Sequence, residues 1–487
     1  MKWWGWGDAN TSHEIPEGGR KALREELGDP EPSQRIQRIE DANVGDSQLR
    51  GKVRRKFADT VGEENVRTDT AERVLHAAGK SYPDLIRQRQ GECDDAPDAI
   101  IYPRSDREVR SVLKTCNKHG IAVVPFGGGT SVVGGLAPIR GEFEALIALD
   151  LAHLNQVVKV DRRSLVASFG AGIAAVDAEQ ALAPHGLTIG HFPQSYEFVT
   201  LGGCVATRSS GQASAGYGRI DSMLVGAKLQ APSGTIDLPA LPPNASGPDL
   251  RQLVAGSEGL FGPITEVSLK VKPAPTVKRY EGVLFHSFTE GSDVLRQLAQ
   301  HGVAPDVCRL SDEDETRITL TLAGDGLKAK LGKLAMRAKG FDGGCLAMFG
   351  WEGDSDSVAR RRRESMRIVR QASVMELGTT AGEAWNRSRF AGPYLRDALL
   401  DQGVFVETLE TVTLWSKQQE LYEAVRNALK DSLTGLGTPP IVGCHVSHVY
   451  PSGGSLYFTF LARQLHGSEL KQWQIAKQAA CEAIVSC

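Results

Sequence analysis

Only eight of the 487 residues are cysteine, and no two of them form a Cys-x-x-Cys pair. That scarcity excludes a dense disulfide framework and a zinc ribbon, and it points to a reducing compartment. No stretch approaches the roughly 18 apolar residues that span a bilayer. The N-terminal residues Met1 to Gly7 lack the apolar core and small-residue cleavage site of a secretory signal. A cytoplasmic protein is the expectation, with Trp3, Trp4 and Trp6 packing as an arm on the protein's own body. Neither charge sign dominates: the net charge is -3, with 24 % charged and 41 % hydrophobic residues. A general polyanion-binding surface is therefore excluded, and no nucleic-acid partner is expected. The one dense basic run, Arg360 to Arg363, is flanked by Asp354, Asp356 and Glu364 and reads as a solvated helix face.

The length exceeds what one compact core accommodates and predicts two or three domains. Residues 14–92 are charged and helix-prone, so residues 1–94 read as a helical N-terminal extension. Ser105 with Glu108 forms a capping-box signature, Val109, Val112, Leu113 and Cys116 fall on one helical face, and Gly120 is a stop. Ile121 to Pro125 is then a short strand entering a glycine-rich loop. Strand-like runs follow at Leu146 to Leu151, Gln156 to Val160 and Leu165 to Phe169, before a helix from Ala174 to about Gly186. Beyond Pro273 and Pro275 the character changes. Strand-like runs at Gly282 to Phe285 and Ile318 to Leu322 lie on either side of a helix around Val294 to Ala299. Val404 to Thr413 and Tyr457 to Leu461 read as strands, and Leu421, Val425 and Leu429 mark an amphipathic helix. A last helix, Ser468 to Cys487, places Leu470 and Trp473 on its apolar side. The texture is α+β throughout.

Gly127, Gly128 and Gly129, directly after a strand, let backbone N–H groups approach an anion with no side chain in the way, which suits a pyrophosphate. A plain surface loop is the alternative reading. The loop lacks the Gly-Lys-Ser/Thr ending of a nucleotide-triphosphate site, which disfavours ATP. Gly170 to Ala175 follows a strand and opens a helix as a dinucleotide fingerprint does, but no strand ending in an acidic residue follows about 20 positions on. A Rossmann-bound nicotinamide or flavin is the poorer explanation.

Four segments occur in order. They are Pro125, Phe126, Gly127, Gly128, Gly129, Thr130 and Ser131; Gln194, Ser195, Tyr196, Glu197, Phe198, Val199 and Thr200, leading into Gly202 and Gly203; Thr207, Arg208, Ser209 and Ser210, followed by Gly211; and Glu258, Gly259, Leu260, Phe261, Gly262, Pro263 and Ile264. Together they resemble the vanillyl-alcohol-oxidase-type flavoproteins, and within them the alkyldihydroxyacetonephosphate synthase family, from about residue 95 to the end. The resemblance implies an α+β fold with a two-part PCMH-type FAD-binding domain over 95–275 and an α+β cap, or substrate, domain over 276–415. Residues 416–487 form a C-terminal segment. All four segments would contact FAD. The glycines of 127–129 would cradle the pyrophosphate, Gly202 and Gly203 would admit the isoalloxazine ring, and Gly259 and Gly262 would serve the adenosine side. No histidine lies between Val123 and Leu136, where relatives that tether FAD often place one, so the cofactor is expected to be non-covalent. No metal is implied.

By the same resemblance Arg309 and Tyr457 take catalytic positions, Arg396 contacts substrate and Tyr457 exchanges a proton with it. Read without it, the two arginines are salt-bridge residues and Tyr457 a core aromatic. The implied reaction replaces the acyl chain of acyl-dihydroxyacetone phosphate with a fatty alcohol, an ether-lipid step without net oxidation in which N5 of FAD holds the substrate carbon. Arg396 suits the phosphate, since a guanidinium binds it bidentately. Tyr457, with an ordinary pKa near ~10, needs help to act as a base at neutral pH. Gln194 stands where the family usually has Asp, and Cys204 where Trp is common. The chain ends before the family's histidine run and Gly-Val-Gly, so a truncated C-terminal segment is expected and, if Cys487 is the true terminus, synthase activity that is weak or absent; His445 and His448 do not match that run. A 2-hydroxy acid dehydrogenase and a non-catalytic FAD-binding protein remain as alternatives. The sequence leaves open a homodimer and peripheral contact with a membrane.

Overall fold

A computed structural model describes residues 1–8, 11, 14–33, 35, 36, 38–322, 340, 341 and 343–487. Its contacts divide the chain into two units. One comprises Met1–Ala9, Gln34–Gly211 and Gly218–Ala274, and the other Asn10–Ser33, Gln212–Tyr217 and Pro275–Cys487. Residues expected to form a single N-terminal extension are thus shared between the units.

The first unit holds two main sheets. In the four-stranded one the order is Val66–Arg67, Ala99–Ile101, Ala145–Asp150, Ile121–Phe126, and the last three strands are parallel. The helix Asp106–His119 precedes Ile121–Phe126. Ser105 caps it by accepting from the Glu108 N–H, and Gly120 ends it in a left-handed conformation. Its buried residues are Val109, Val112, Leu113 and Cys116, which pack with Phe57, Ile147 and Leu149. In place of the reciprocal bond of the expected capping box, the Arg104 N–H donates to Glu108 Oε2 at 2.7 Å. A parallel neighbour demands a long crossover, and residues 127–144 supply it, placing the glycine loop at the C-terminal end of the strand.

The second sheet is antiparallel, in the order Val157–Asp161, Val166–Gly170, Ile264–Lys270, Leu224–Ala231, Gly234–Leu238. Val166–Gly170 therefore belongs to no parallel βαβ unit, and the fingerprint-like glycines after it serve packing: a Cβ on Gly172 would stand 1.8 Å from the Leu151 carbonyl oxygen. Trp3 and Trp6 are buried, and the Trp6 ring meets Phe198 edge-on with centroids 5.4 Å apart.

The second unit is built on a seven-stranded antiparallel sheet among the described residues. Its order is Met375–Leu377, Val277–Phe285, Cys345–Gly353, Val307–Ser311, Ile441–Val449, Gly453–Arg463, Val404–Leu414. The boundary expected between 415 and 416 falls inside this hydrogen-bonded sheet, because Gly453–Arg463 pairs with Val404–Leu414 along its whole length. Ile318 to Leu322 is not a strand but the end of the helix Glu313–Leu322. Asp312 starts that helix, accepting from the Glu315 N–H at 2.7 Å, and acids in the first turn complement the helix dipole.

The arginine run is not a solvated face throughout. Arg361 pairs with buried Asp306 at 2.5 Å and Arg362 with buried Glu281 at 2.8 Å, since carboxylates inside the unit need a cation. The last helix, Glu469–Ser486, buries Gln472, Ala476 and Ala480 rather than Leu470 and Trp473. Trp473 is half-buried and donates its Nε1–H to Glu407 at 2.6 Å. Among the described residues no helix is long and apolar enough to cross a membrane.

Candidate flavin cradle and substrate-side cluster

Of the four candidate flavin segments, dispersed over 140 positions of sequence from 125 to 264, the first touches the second and the fourth in the first unit, and the third adjoins the fourth. A Cβ on Gly127 would stand 2.5 Å from Thr200 Oγ1, and one on Gly128 would stand 2.0 Å from the Phe198 carbonyl oxygen. The first segment thus runs against the second with no room for a side chain. The fourth meets the first where Gly259 faces the Pro125 ring, and it adjoins the third through the Glu258 N–H bond to the Ala206 carbonyl at 2.9 Å. Gly262 combines φ +121° with a site where a Cβ would stand 2.0 Å from the Gln230 carbonyl oxygen, so only glycine fits there.

Turns and caps hold the segments in place. Ser195 accepts the Phe198 and Val199 N–H groups at its carbonyl, each at 3.0 Å. Thr200 accepts from the Gly203 N–H and starts the short helix Leu201–Ala206, whose Gly202 lies against Ala171. Arg208, at φ +51°, donates to Asp221 at 3.0 Å and to Gln252 at 2.6 Å. The Ser131 carbonyl accepts from Lys80 N–H at 2.6 Å, and Ser131 Oγ from the Gly135 N–H at 3.2 Å. Gln194, Glu197 and Leu260 are exposed, Tyr196 packs on Phe192, and Ile264 opens the strand Ile264–Lys270. A bare glycine backbone cleared on one side by close packing is what a pyrophosphate needs, so these residues fit FAD.

Two histidines near the cradle carried no signal in the sequence. His76 lies with its ring 4.4 Å from that of Phe126, its Nε2 on Asp150 at 2.9 Å and its Nδ1 on the Glu72 carbonyl at 2.8 Å. His191 is buried, with Nε2 on Ser209 Oγ at 2.7 Å, and burial lowers it to about 4. It is neutral at physiological pH.

In the second unit, sheet register brings Arg309 and Tyr457 to opposite sides of one residue, His445. Tyr457 is its partner on the neighbouring strand, and the two rings stack with centroids 4.9 Å apart and planes 26° from parallel. Arg309 Nη2 lies 2.8 Å from Glu315 Oε1 and 3.1 Å from His445 Nδ1, and that Nδ1 lies 3.0 Å from both Glu315 oxygens. Burial alone would raise the Glu315 carboxyl, but His445 and Arg309 outweigh it and hold it at about 2. Burial and then Arg309 lower His445, against the pull of Glu315. Burial raises the Tyr457 phenol; a bond with Thr408 and, more weakly, the Arg396 charge oppose that shift without reversing it. Arg396 is half-buried on the helix Gly392–Asp401.

Residues 97–237 match the family described as "FAD binding domain", and residues 274–484 that described as "FAD linked oxidases, C-terminal domain". The chain is 32 % identical over 429 residues to the alkyldihydroxyacetonephosphate synthase of Dictyostelium discoideum, covering 86 % of this chain and 70 % of that protein. It is 33 % identical over 446 residues to the Trypanosoma brucei brucei synthase, covering 89 % and 73 %. The chain belongs to the alkyldihydroxyacetonephosphate synthase family. A solved structure of an alkyldihydroxyacetonephosphate synthase superposes with a TM-score of 0.89 at 30 % identity, over 100 % of this chain and 93 % of that one. FAD is thus the cofactor of this family member, as its FAD binding domain requires.

The motif segments of this synthase-family chain were legible because each is a run of neighbours in sequence. Glu315 and His445 were not. Glu315 sits in an ordinary acidic helix start, and His445 acquires chemistry only from strands that pair with its own.

Proposed function

We propose that this protein is an FAD-dependent alkyldihydroxyacetonephosphate synthase, which exchanges the acyl chain of acyl-dihydroxyacetone phosphate for a fatty alcohol without net oxidation. The observation that carries this reading is likeness to synthases across both units, cofactor-binding and C-terminal alike. Bound in the cradle, FAD would supply a ring that takes up and returns electron density at the substrate carbon.

The chain's own residues would do the rest. Arg396 would bind the phosphate through its guanidinium fork. Arg309, held by Glu315, would present a fixed positive charge. Tyr457, whose phenol is raised by burial, stays protonated at neutral pH and would donate a hydrogen bond to a substrate oxygen.

The test is incorporation of labelled fatty alcohol into acyl-dihydroxyacetone phosphate by the FAD-loaded protein, with release of fatty acid. In parallel, 2-hydroxy acids such as lactate and glycolate are added without oxygen. Bleaching of the flavin by a 2-hydroxy acid, with no alcohol incorporated, would replace the synthase reading by a dehydrogenase.

A further inference from the structure

An alcohol oxygen is a weak nucleophile until a base takes its proton. Tyr457 is badly suited to that task, because its buried phenol holds its proton at neutral pH. The group beside it is better arranged. Arg309 can only donate hydrogen bonds and the ionised Glu315 can only accept them. The Nδ1 atom of His445 lies 3.0 Å from both Glu315 oxygens and 3.1 Å from Arg309 Nη2, which makes the shorter contact of 2.8 Å to Glu315 Oε1; with the arginine donating to the carboxylate, Nδ1 carries its own hydrogen toward Glu315. Nε2 is left as the lone-pair atom, and it makes no hydrogen bond among the described residues.

Three elements enforce this state. Glu315 comes from the helix Glu313–Leu322, Arg309 from the strand Val307–Ser311, and Tyr457 from Gly453–Arg463, where its stacked ring restrains rotation of the imidazole. Among the described residues these are the charged and titratable groups that face His445. The glycine opposite Glu315 admits the helix: a Cβ on Gly443 would stand 2.9 Å from Glu315 Cβ.

We propose that His445 is the proton acceptor for the entering alcohol, with Nε2 the accepting atom and Glu315 the positioning residue that fixes the imidazole tautomer. The proposal rests on the synthase reading above. The acyl group leaves as a carboxylate with the electron pair of its C–O bond. The alcohol oxygen bonds to the same carbon, its O–H bond breaks and the proton goes to Nε2. Glu315 stabilises the resulting imidazolium, which returns the proton to water or to the departed carboxylate. Nothing is oxidised or reduced overall.

The experiment uses the full chain loaded with FAD. Nitrogen NMR of histidine-labelled protein, with His445 assigned by its loss in His445→Gln, is expected to show Nδ1 protonated and Nε2 bare. His445→Gln is expected to lower kcat for alcohol incorporation roughly 100-fold or more, with KM for acyl-dihydroxyacetone phosphate and flavin content little changed. Glu315→Gln removes the negative charge that favours the imidazolium, so the acidic limb of its kcat/KM profile moves to lower pH, which a purely structural role would not produce. A bare Nδ1 in the wild type, an unchanged kcat in His445→Gln, or an unmoved acidic limb in Glu315→Gln each overturns the proposal. Should His445→Gln not fold, the Glu315→Gln profile decides. Wild-type protein that incorporates no alcohol defeats the synthase reading and this proposal with it, whereas incorporation undiminished in His445→Gln defeats only the proposal.

Discussion

Gly128 lies so close to Phe198 that a Cβ on the glycine would stand 2.0 Å from the Phe198 carbonyl oxygen. The contact joins two backbone segments 70 positions apart and keeps one side of the loop Pro125–Ser131 bare. Gly128→Ala must push the loop away, and overpacking of this kind costs about 1–3 kcal/mol. Flavin affinity is expected to fall by about tenfold or more, which corresponds to ~1.4 kcal/mol. FAD titration of apoprotein measures it, and an unaltered Kd would remove this loop from the cofactor site.

FAD is expected to leave the protein on acid precipitation, giving a yellow supernatant and a colourless pellet. No histidine lies between Val123 and Leu136. The nearby His76 has both ring nitrogens engaged, by Asp150 and by the Glu72 carbonyl, so neither is free to attack a flavin. Colour retained in the pellet would contradict this.

Tyr457→Phe removes the hydroxyl and keeps the ring that stacks on His445. Turnover with acyl-dihydroxyacetone phosphate and fatty alcohol is expected to drop roughly 100-fold, with the flavin spectrum and the thermal midpoint close to wild type. Steady-state rates and absorbance scans check it; full activity would make Tyr457 a packing residue.

Asp312 makes stability depend on pH. Burial raises its carboxyl from 3.8 to about 7, although it accepts from the Glu315 N–H at 2.7 Å and the Tyr422 hydroxyl at 3.0 Å. Because the folded protein holds this proton more tightly than the unfolded chain, the contribution is full below about 3.8 and is lost as pH rises through about 7. Asp312→Asn abolishes the titration. Between pH 5 and pH 8 the urea midpoint of the wild type is therefore expected to fall more than that of the variant, by an amount on the order of 1–2 kcal/mol in stability. Parallel behaviour of the two proteins would refute a raised Asp312.

Much of this protein was readable one segment at a time. The helix Asp106–His119 has the cap, stop and buried face that its sequence announces, because Ser105, Gly120 and the four apolar residues act within a few positions of one another. The strands Ile121–Phe126 and Val404–Leu414 were equally plain. Ile318 to Leu322 misled, since β-branched residues suit a strand by propensity, while Asp312 and the acidic first turn commit the segment to a helix. Arg361 and Arg362 looked solvated because the carboxylates they neutralise, Asp306 and Glu281, come from other parts of the sheet.

The amino-acid order by itself determined the glycine backbone that suits a pyrophosphate, the four motif segments and the family, since all of these rest on neighbouring residues. Only the tertiary structure decided which side chains act together. His445 drew no role from its own surroundings in sequence. It becomes a fixed-tautomer imidazole because strand pairing sets Tyr457 beside it and a helix 130 positions earlier delivers Glu315 to its Nδ1. Hydrogen bonds and charge pairs depend on separations of a few ångströms, and such separations between distant residues exist only once the sheet has formed.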